Sequence, residues 1–143
     1  PLNACLSFAY SLLGTDMKNA LTSVGLDPYI GFFHTDRPGR ISLALDLMEE
    51  LRGVMADRFV LSLINRGQLT EKDFDYMESG AVLLKDDSRK VFLQAWHRYK
   101  QDKITHPYLK EKVEWGLVPY CQSLLLARYI RGDLDAYPCF CWK

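Results

Sequence analysis

Residues 42–52 read SLALDLMEELR, and residues 53–65 continue GVMADRFVLSLIN up to Arg66-Gly67. At about 100° per residue, Ala44, Leu47, Met48 and Leu51 fall on one side of a helix. Asp46, Glu49 and Glu50, separated by steps of three and four, share the opposite sector. Met55, Phe59, Val60, Leu63 and Ile64 carry the helical spacing onward, so the stretch predicts two helices or one bent helix, with Gly53 at the joint.

Working outward, an opening helix is expected from Asn3 to about Val24, where Leu6, Phe8, Ala9, Leu12, Leu13, Met17, Ala20 and Leu21 recur at helical intervals and Gly25 terminates the run. Gly25 to Gly31 and Arg37-Pro38-Gly39 then break the chain twice. Thr70-Glu71-Lys72-Asp73 can cap a short turn, and Ala81 to Leu84 is a brief apolar run of strand type, too short for a sheet.

From Asp87 or Ser88, Val91, Phe92, Ala95, Trp96 and Tyr99 define an amphipathic helix. His106-Pro107 breaks the pattern. A last helix from Gly116 to Arg131 buries Leu117, Cys121, Leu124, Leu125 and Ile130, tolerates Pro119 in its first turn and stops at Gly132. The tail with Tyr137, Phe140 and Trp142 is expected to fold back on the bundle. The fold class is all-α: a single helical domain, a multi-helix bundle, with at most a short β segment near residues 81–84.

Composition agrees with one globular domain. The chain has 143 residues, 48% hydrophobic and 13% aromatic, too much burial potential for a solvated, disordered segment. No apolar run approaches the ~18 residues of a bilayer crossing and the start has no signal-peptide pattern, which points to a cytoplasmic setting and no membrane partner. The chain begins with Pro1 rather than Met, directly at an apolar segment, which suggests trimming or a fragment of something longer.

Eighteen basic residues balance 18 acidic ones, so any grip on nucleic acid must come from a local patch. Such a patch exists around the fourth helical pattern. Lys85, Arg89, Lys90, Arg98, Lys100 and Lys103 outnumber Asp86, Asp87 and Asp102, and a face of this kind either holds a phosphate backbone or serves solubility. Cys121, Cys139, Cys141 and His106 could be assembled as a zinc set, but no C-x-x-C pair occurs, and reduced, partly buried thiols are the expected state.

The segment from His34 to Glu50 is the candidate for chemistry. A histidine in a Gly/Pro-rich turn followed by three carboxylates on one helix can bind Mg²⁺ or Mn²⁺ where phosphate completes the shell, which is the chemistry of phosphoryl transfer. The competing reading is a solvated helix face paired with Arg40 or Arg52 and a histidine held by the backbone. Spacing leaves both open. No Gly-rich phosphate loop, G-x-S-x-G elbow or H-E-x-x-H motif competes.

Three ordered blocks carry a resemblance: residues 2–13 (LNACLSFAYSLL), residues 25–34 (GLDPYIGFFH) and residues 42–52, supported by Gly116 to Gln122 and Ile130 to Pro138 near the end. Together they resemble the CRISPR-associated protein one family, the integrase that inserts new spacers into CRISPR arrays, and type I-C members in particular. The resemblance implies that residues 1–143 are a helical C-terminal catalytic domain, without the N-terminal β-domain used for dimerisation.

It further implies a metal site of a glutamate, a histidine and a later acidic residue. The histidine maps to His34 and the acidic motif to Asp46 and Glu49, with Glu49 the preferred ligand. The first glutamate would lie upstream of Pro1, so the isolated chain is expected to bind Mg²⁺ or Mn²⁺ poorly and to be nearly inactive.

The implied function is metal-dependent DNA integration by transesterification in prokaryotic antiviral defence. The implied partners are double-stranded DNA, namely spacer precursor and CRISPR repeat, the CRISPR-associated protein two, and a second copy of the full-length protein. Arg52 pairs with a site carboxylate or a phosphate on this reading, and Asn3, Ser7 and Tyr10 face the bent segment or DNA. The alternative is a non-catalytic helical module for protein or DNA interaction.

Overall fold

The computed structural model describes residues 1–29 and 42–140. Its elements in chain order are α1 (Leu2–Ser23), α2 (Ser42–Leu51), a π-helical segment (Arg52–Asp57), α3 (Arg58–Asn65), a 3₁₀ turn (Glu71–Asp73), β1 (Phe74–Tyr76), β2 (Val82–Leu84), α4 (Asp86–Tyr99), β3 (Lys103–Thr105), β4 (Lys112–Glu114), a second 3₁₀ turn (Trp115–Leu117) and α5 (Val118–Ile130).

Helix α1 is the centre of the packing. Cys5, Ala9, Leu13, Met17 and Leu21, at steps of four, are wholly buried, and α1 touches α2, the π segment, α3 and α5. A stripe at that spacing is what a helix needs to bury one face against several neighbours. The predicted stop is where it was placed, since Gly25 adopts φ +84°, a left-handed conformation that glycine takes without penalty.

Ser42 to Asn65 is one helical run that widens in the middle, which resolves the choice between two helices and one bent helix. Gly53 lies in the π segment. A π turn shifts the backbone bonding by one residue, and here the Tyr99 hydroxyl donates to the Val54 carbonyl at 2.9 Å. An aromatic layer backs this region: Phe59 meets Trp96 at 5.0 Å and Phe92 at 5.3 Å between ring centroids, both edge to face.

The all-α expectation needs correction, because the described residues include two small antiparallel sheets. The strand anticipated near 81–84 does pair, with Phe74 opposite Leu84 and Tyr76 opposite Val82. A second hairpin pairs Lys103 with Glu114 and Thr105 with Lys112. Strands of three residues leave too short a trace for alternation to register, and cross-strand partners supply what the isolated run lacks.

The face of α5 also differs from expectation. Leu117 and Ile130 are about half exposed, at 51% and 47%, whereas Val118, Gln122 and Leu126 are fully buried. The helix is rotated toward a buried glutamine whose amide is satisfied, a burial that hydrophobic patterning cannot register. The tail folds back as expected, with Phe140 buried against His106 and Trp115; Trp142 lies outside the described residues.

Candidate functional site

The acidic helix α2 is seated by Leu47 and Leu51, both at 0% exposure in the core. Its Met48 packs toward Gly14 of α1, whose missing side chain would stand 3.6 Å from the methionine sulfur. That seating sends the three carboxylates into different surroundings. Glu49 is exposed, while Asp46 and Glu50 are half-buried.

Glu49 accepts a hydrogen bond from Arg52 Nη1 at 3.2 Å, and its side chain remains 64% exposed. The Arg52 guanidinium lies 4.4 Å from the centre of the Tyr10 ring, and the Tyr10 hydroxyl donates to Asp57 at the far end of the π segment. Arg52 thus pairs with a carboxylate of its own helical run, three residues before it. Tyr10 therefore faces this cluster from α1, while Asn3 and Ser7 are exposed near the other end of the helix.

Glu50 is held from the opposite direction. Tyr137 in the tail donates its hydroxyl to Glu50 Oε2 at 2.5 Å, and Gln122 of α5 donates Nε2 to the Tyr137 oxygen at 2.7 Å and to the Pro138 carbonyl at 3.2 Å. Gln122 Oε1 in turn lies 2.7 Å from His106 Nε2. His106 Nδ1 accepts the backbone N–H groups of Tyr108 and Leu109, both at 3.1 Å.

An imidazole that accepts at Nδ1 carries its proton at Nε2, so the bonds run in one direction from His106 to Gln122, Tyr137 and Glu50. Burial pushes the Glu50 carboxyl above its ordinary range, and the Tyr137 hydroxyl opposes that rise. The Tyr137 phenol is itself pushed upward, first by burial and then by the Glu50 charge. This chain ties α2, α5 and the tail together. Sequence reasoning missed it; the only trace is Gln122-Ser123 inside an apolar helical stretch.

His106 is committed at both ring nitrogens, which removes it from the zinc set; Cys121 is half-buried, Cys139 exposed, and Cys141 lies outside the described residues. Among the described residues, no three of His, Cys, Asp and Glu stand close enough to hold a metal ion. His34 lies outside the described residues. Glu49 and Asp46 nonetheless suit a hard divalent cation, since both offer carboxylate oxygens and Glu49 faces solvent with an exchangeable arginine contact.

On the α4 face, Lys85, Arg89, Lys90, Arg98 and Lys103 are exposed. Lys100 is different. Its amine pairs with Asp16 of α1 at 3.1 Å with 20% of the side chain exposed, so its charge is engaged within the bundle. Arg89 lies over the Phe8 ring at 5.8 Å. Among the described residues, no helix is long and apolar enough to cross a membrane.

Residues 1–98 match the family model described as CRISPR associated protein Cas1. Over 143 residues the chain is 59% identical to CRISPR-associated endonuclease Cas1 2 of Rhodospirillum rubrum, covering 100% of this chain and 42% of that protein. The chain thus spans about two fifths of that relative's length. A solved structure described as a casposase bound to integration product superposes with a TM-score of 0.83 at 31% identity, over 95% of this chain and 39% of the other. A partial Cas6-RT-Cas1–Cas2 complex shares the fold at TM-score 0.76 and 22% identity, over 100% of this chain and 42% of that one.

Proposed function

The chain belongs to the CRISPR-associated Cas1 family, and we propose that it is the catalytic portion of a DNA endonuclease and integrase that adds spacers to CRISPR arrays. The observation that carries the reading is the solvent-facing Glu49 on the firmly seated helix α2, in a chain that matches a Cas1 endonuclease along its whole length.

On this reading Glu49 and His34 hold Mg²⁺ or Mn²⁺, with Asp46 beside them, and the remaining acidic ligand comes from outside residues 1–143. Bound there, the ion supplies positive charge against the charge that builds on a scissile phosphate. The 3′-hydroxyl oxygen of a spacer precursor attacks a repeat phosphodiester; a new P–O bond forms as the old one breaks, the displaced sugar oxygen of the repeat leaves as a hydroxyl by taking a proton from solvent, and the proton of the attacking hydroxyl passes to solvent.

The chain's own residues prepare this step. Arg52 offsets the repulsion of Glu49 with Asp46 and Glu50, while Tyr137 ties Glu50 to the tail. A type I-C-like C-terminal domain, a cytoplasmic setting in a prokaryote, a Cas2 partner and dimerisation of a longer protein belong to the same proposal.

The test is a chimaera in which these 143 residues replace the matching part of the Rhodospirillum rubrum relative. Strand transfer of a labelled 3′-hydroxyl DNA end into a repeat duplex is measured with Mn²⁺. Transfer by the chimaera and its loss in His34→Ala is the expected result. Undiminished transfer by His34→Ala rules out the site.

A further inference from the structure

Tyr10 reaches across the π segment from α1. Its ring lies 4.4 Å from the Arg52 guanidinium at the first residue of the segment, and its hydroxyl donates to Asp57 at the last. The face of an aromatic ring attracts a cation, and a phenol that donates to a carboxylate carries a more electron-rich ring. Arg52 is thus held from two sides, by the Tyr10 ring and by Glu49 Oε1 at 3.2 Å, while 44% of its side chain stays in water.

The two holds differ in kind. The ion pair joins two exposed side chains three residues apart, an arrangement that water and salt weaken. The ring is anchored: Tyr10 is half-buried, and its partner Asp57 lies 47 residues away in sequence, on a segment packed against α1. Arginine stays charged throughout the working range of proteins, and Tyr10 first, then Glu49, pushes the Arg52 pKa higher still. Arg52 therefore cannot give way to a second cation by releasing a proton. It gives way by moving.

A hard divalent cation such as Mg²⁺ binds a carboxylate oxygen at about 2.1 Å. With the Arg52 nitrogen 3.2 Å from Glu49 Oε1, both cations on that oxygen would stand no more than about 5 Å apart. They repel at that range, and the weaker of the two holds on Arg52 breaks.

We propose that Arg52 is the resident counter-ion of Glu49, displaced from the carboxylate when a divalent cation binds there and kept beside it by Tyr10, with Asp57 fixing the ring. Tyr10 and Asp57 are then positioning residues that act on Glu49 only through Arg52. Without the cation, the guanidinium offsets the charge of Glu49; with the cation, it opposes binding, so the pair sets the affinity of the carboxylate for metal. The displacement rests on the metal-binding reading of Glu49, whereas the hold of the ring on Arg52 does not.

The experiment is a Mg²⁺ titration of the 143-residue chain followed by NMR. Arginine Nε–H groups report on Arg52, whose resonance is identified by its loss in R52Q, and backbone amides of α2 report the affinity. The Arg52 resonance is expected to move with Mg²⁺ over the millimolar range in wild type and to stay fixed in E49Q. R52Q is expected to bind Mg²⁺ about 2- to 5-fold more tightly than wild type, the factor an exposed ion pair is worth. Y10L lets the guanidinium withdraw, so it is expected to tighten Mg²⁺ by a smaller factor in wild type and not at all in R52Q. A purely structural role for Tyr10 would give the same change in both backgrounds. Circular dichroism checks folding, and Y10F, which removes only the Asp57 bond, carries the comparison if Y10L unfolds.

An affinity in R52Q equal to or weaker than wild type, an Arg52 resonance indifferent to bound Mg²⁺, equal Tyr10 effects in both backgrounds, or no Mg²⁺ binding in any form overturns the proposal. Strand transfer by the chimaera alongside any of these results leaves the integrase reading standing without the counter-ion. Lost strand transfer with the Arg52 exchange intact does the reverse.

Discussion

At the residue scale, adjacent carboxylates do opposite work. Glu50 is half-buried and receives the Tyr137 hydroxyl, so Tyr137→Phe removes a hydrogen bond to a partly buried carboxylate and is expected to cost about 2 kcal/mol in urea denaturation. Glu49 is exposed with one arginine contact, and Glu49→Gln is expected to change stability by less than about 0.5 kcal/mol. A cost below about 0.5 kcal/mol for Tyr137→Phe would mean that the tail is not tied to α2 through this bond. Sequence spacing put Asp46, Glu49 and Glu50 in one sector and could go no further, because the donor to Glu50, Tyr137, comes from 87 residues away and is itself held by Gln122 of α5. Asp73 gives a separate, pH-dependent case. The Ser88 hydroxyl at 2.6 Å and the Thr70 amide at 2.7 Å hold its carboxyl below the ordinary range. A lowered folded pKa contributes stability that is complete above the unfolded value, near 3.9, and is lost as pH falls through the folded value. Asp73→Asn is therefore expected to cost about 1 kcal/mol at pH 7, with the deficit closing toward pH 2, as followed by thermal melts. A deficit independent of pH would contradict this assignment.

At the element scale, the helices were legible because their apolar spacing spans several turns; of the strands only the run near 81–84 was, because three-residue strands carry no period. The join in the second helical run was legible only as a weakness at Gly53. Its π form depends on Tyr10 reaching Asp57 and Tyr99 reaching Val54, contacts across 47 and 45 residues. π segments inside α-helices often sit at functional sites, and this one directly follows the acidic turn and carries Arg52. Gly14 tests the packing of α1 on α2. A methyl group there would lie 3.6 Å from Met48 Sδ, an ordinary contact, so Gly14→Ala is expected to gain about 0.5 to 1 kcal/mol from helix propensity alone. A loss of stability on urea denaturation would show that α2 sits closer to α1 than this geometry allows.

At the scale of the whole molecule, α1, α2, α5 and the tail form one connected support for the acidic face, with the His106–Gln122–Tyr137–Glu50 chain as its polar link. The family was legible in three sequence blocks, of which the last is α2 itself. The central claim is that Glu49 is the catalytic carboxylate that this support presents. The most direct measurement is the single-turnover rate of Mn²⁺-dependent strand transfer by the Rhodospirillum rubrum chimaera carrying Glu49→Gln. A fall of at least about 100-fold, equivalent to about 2.7 kcal/mol of lost transition-state stabilisation, with an unchanged melting temperature, is predicted. A rate within a few-fold of the unsubstituted chimaera would contradict it.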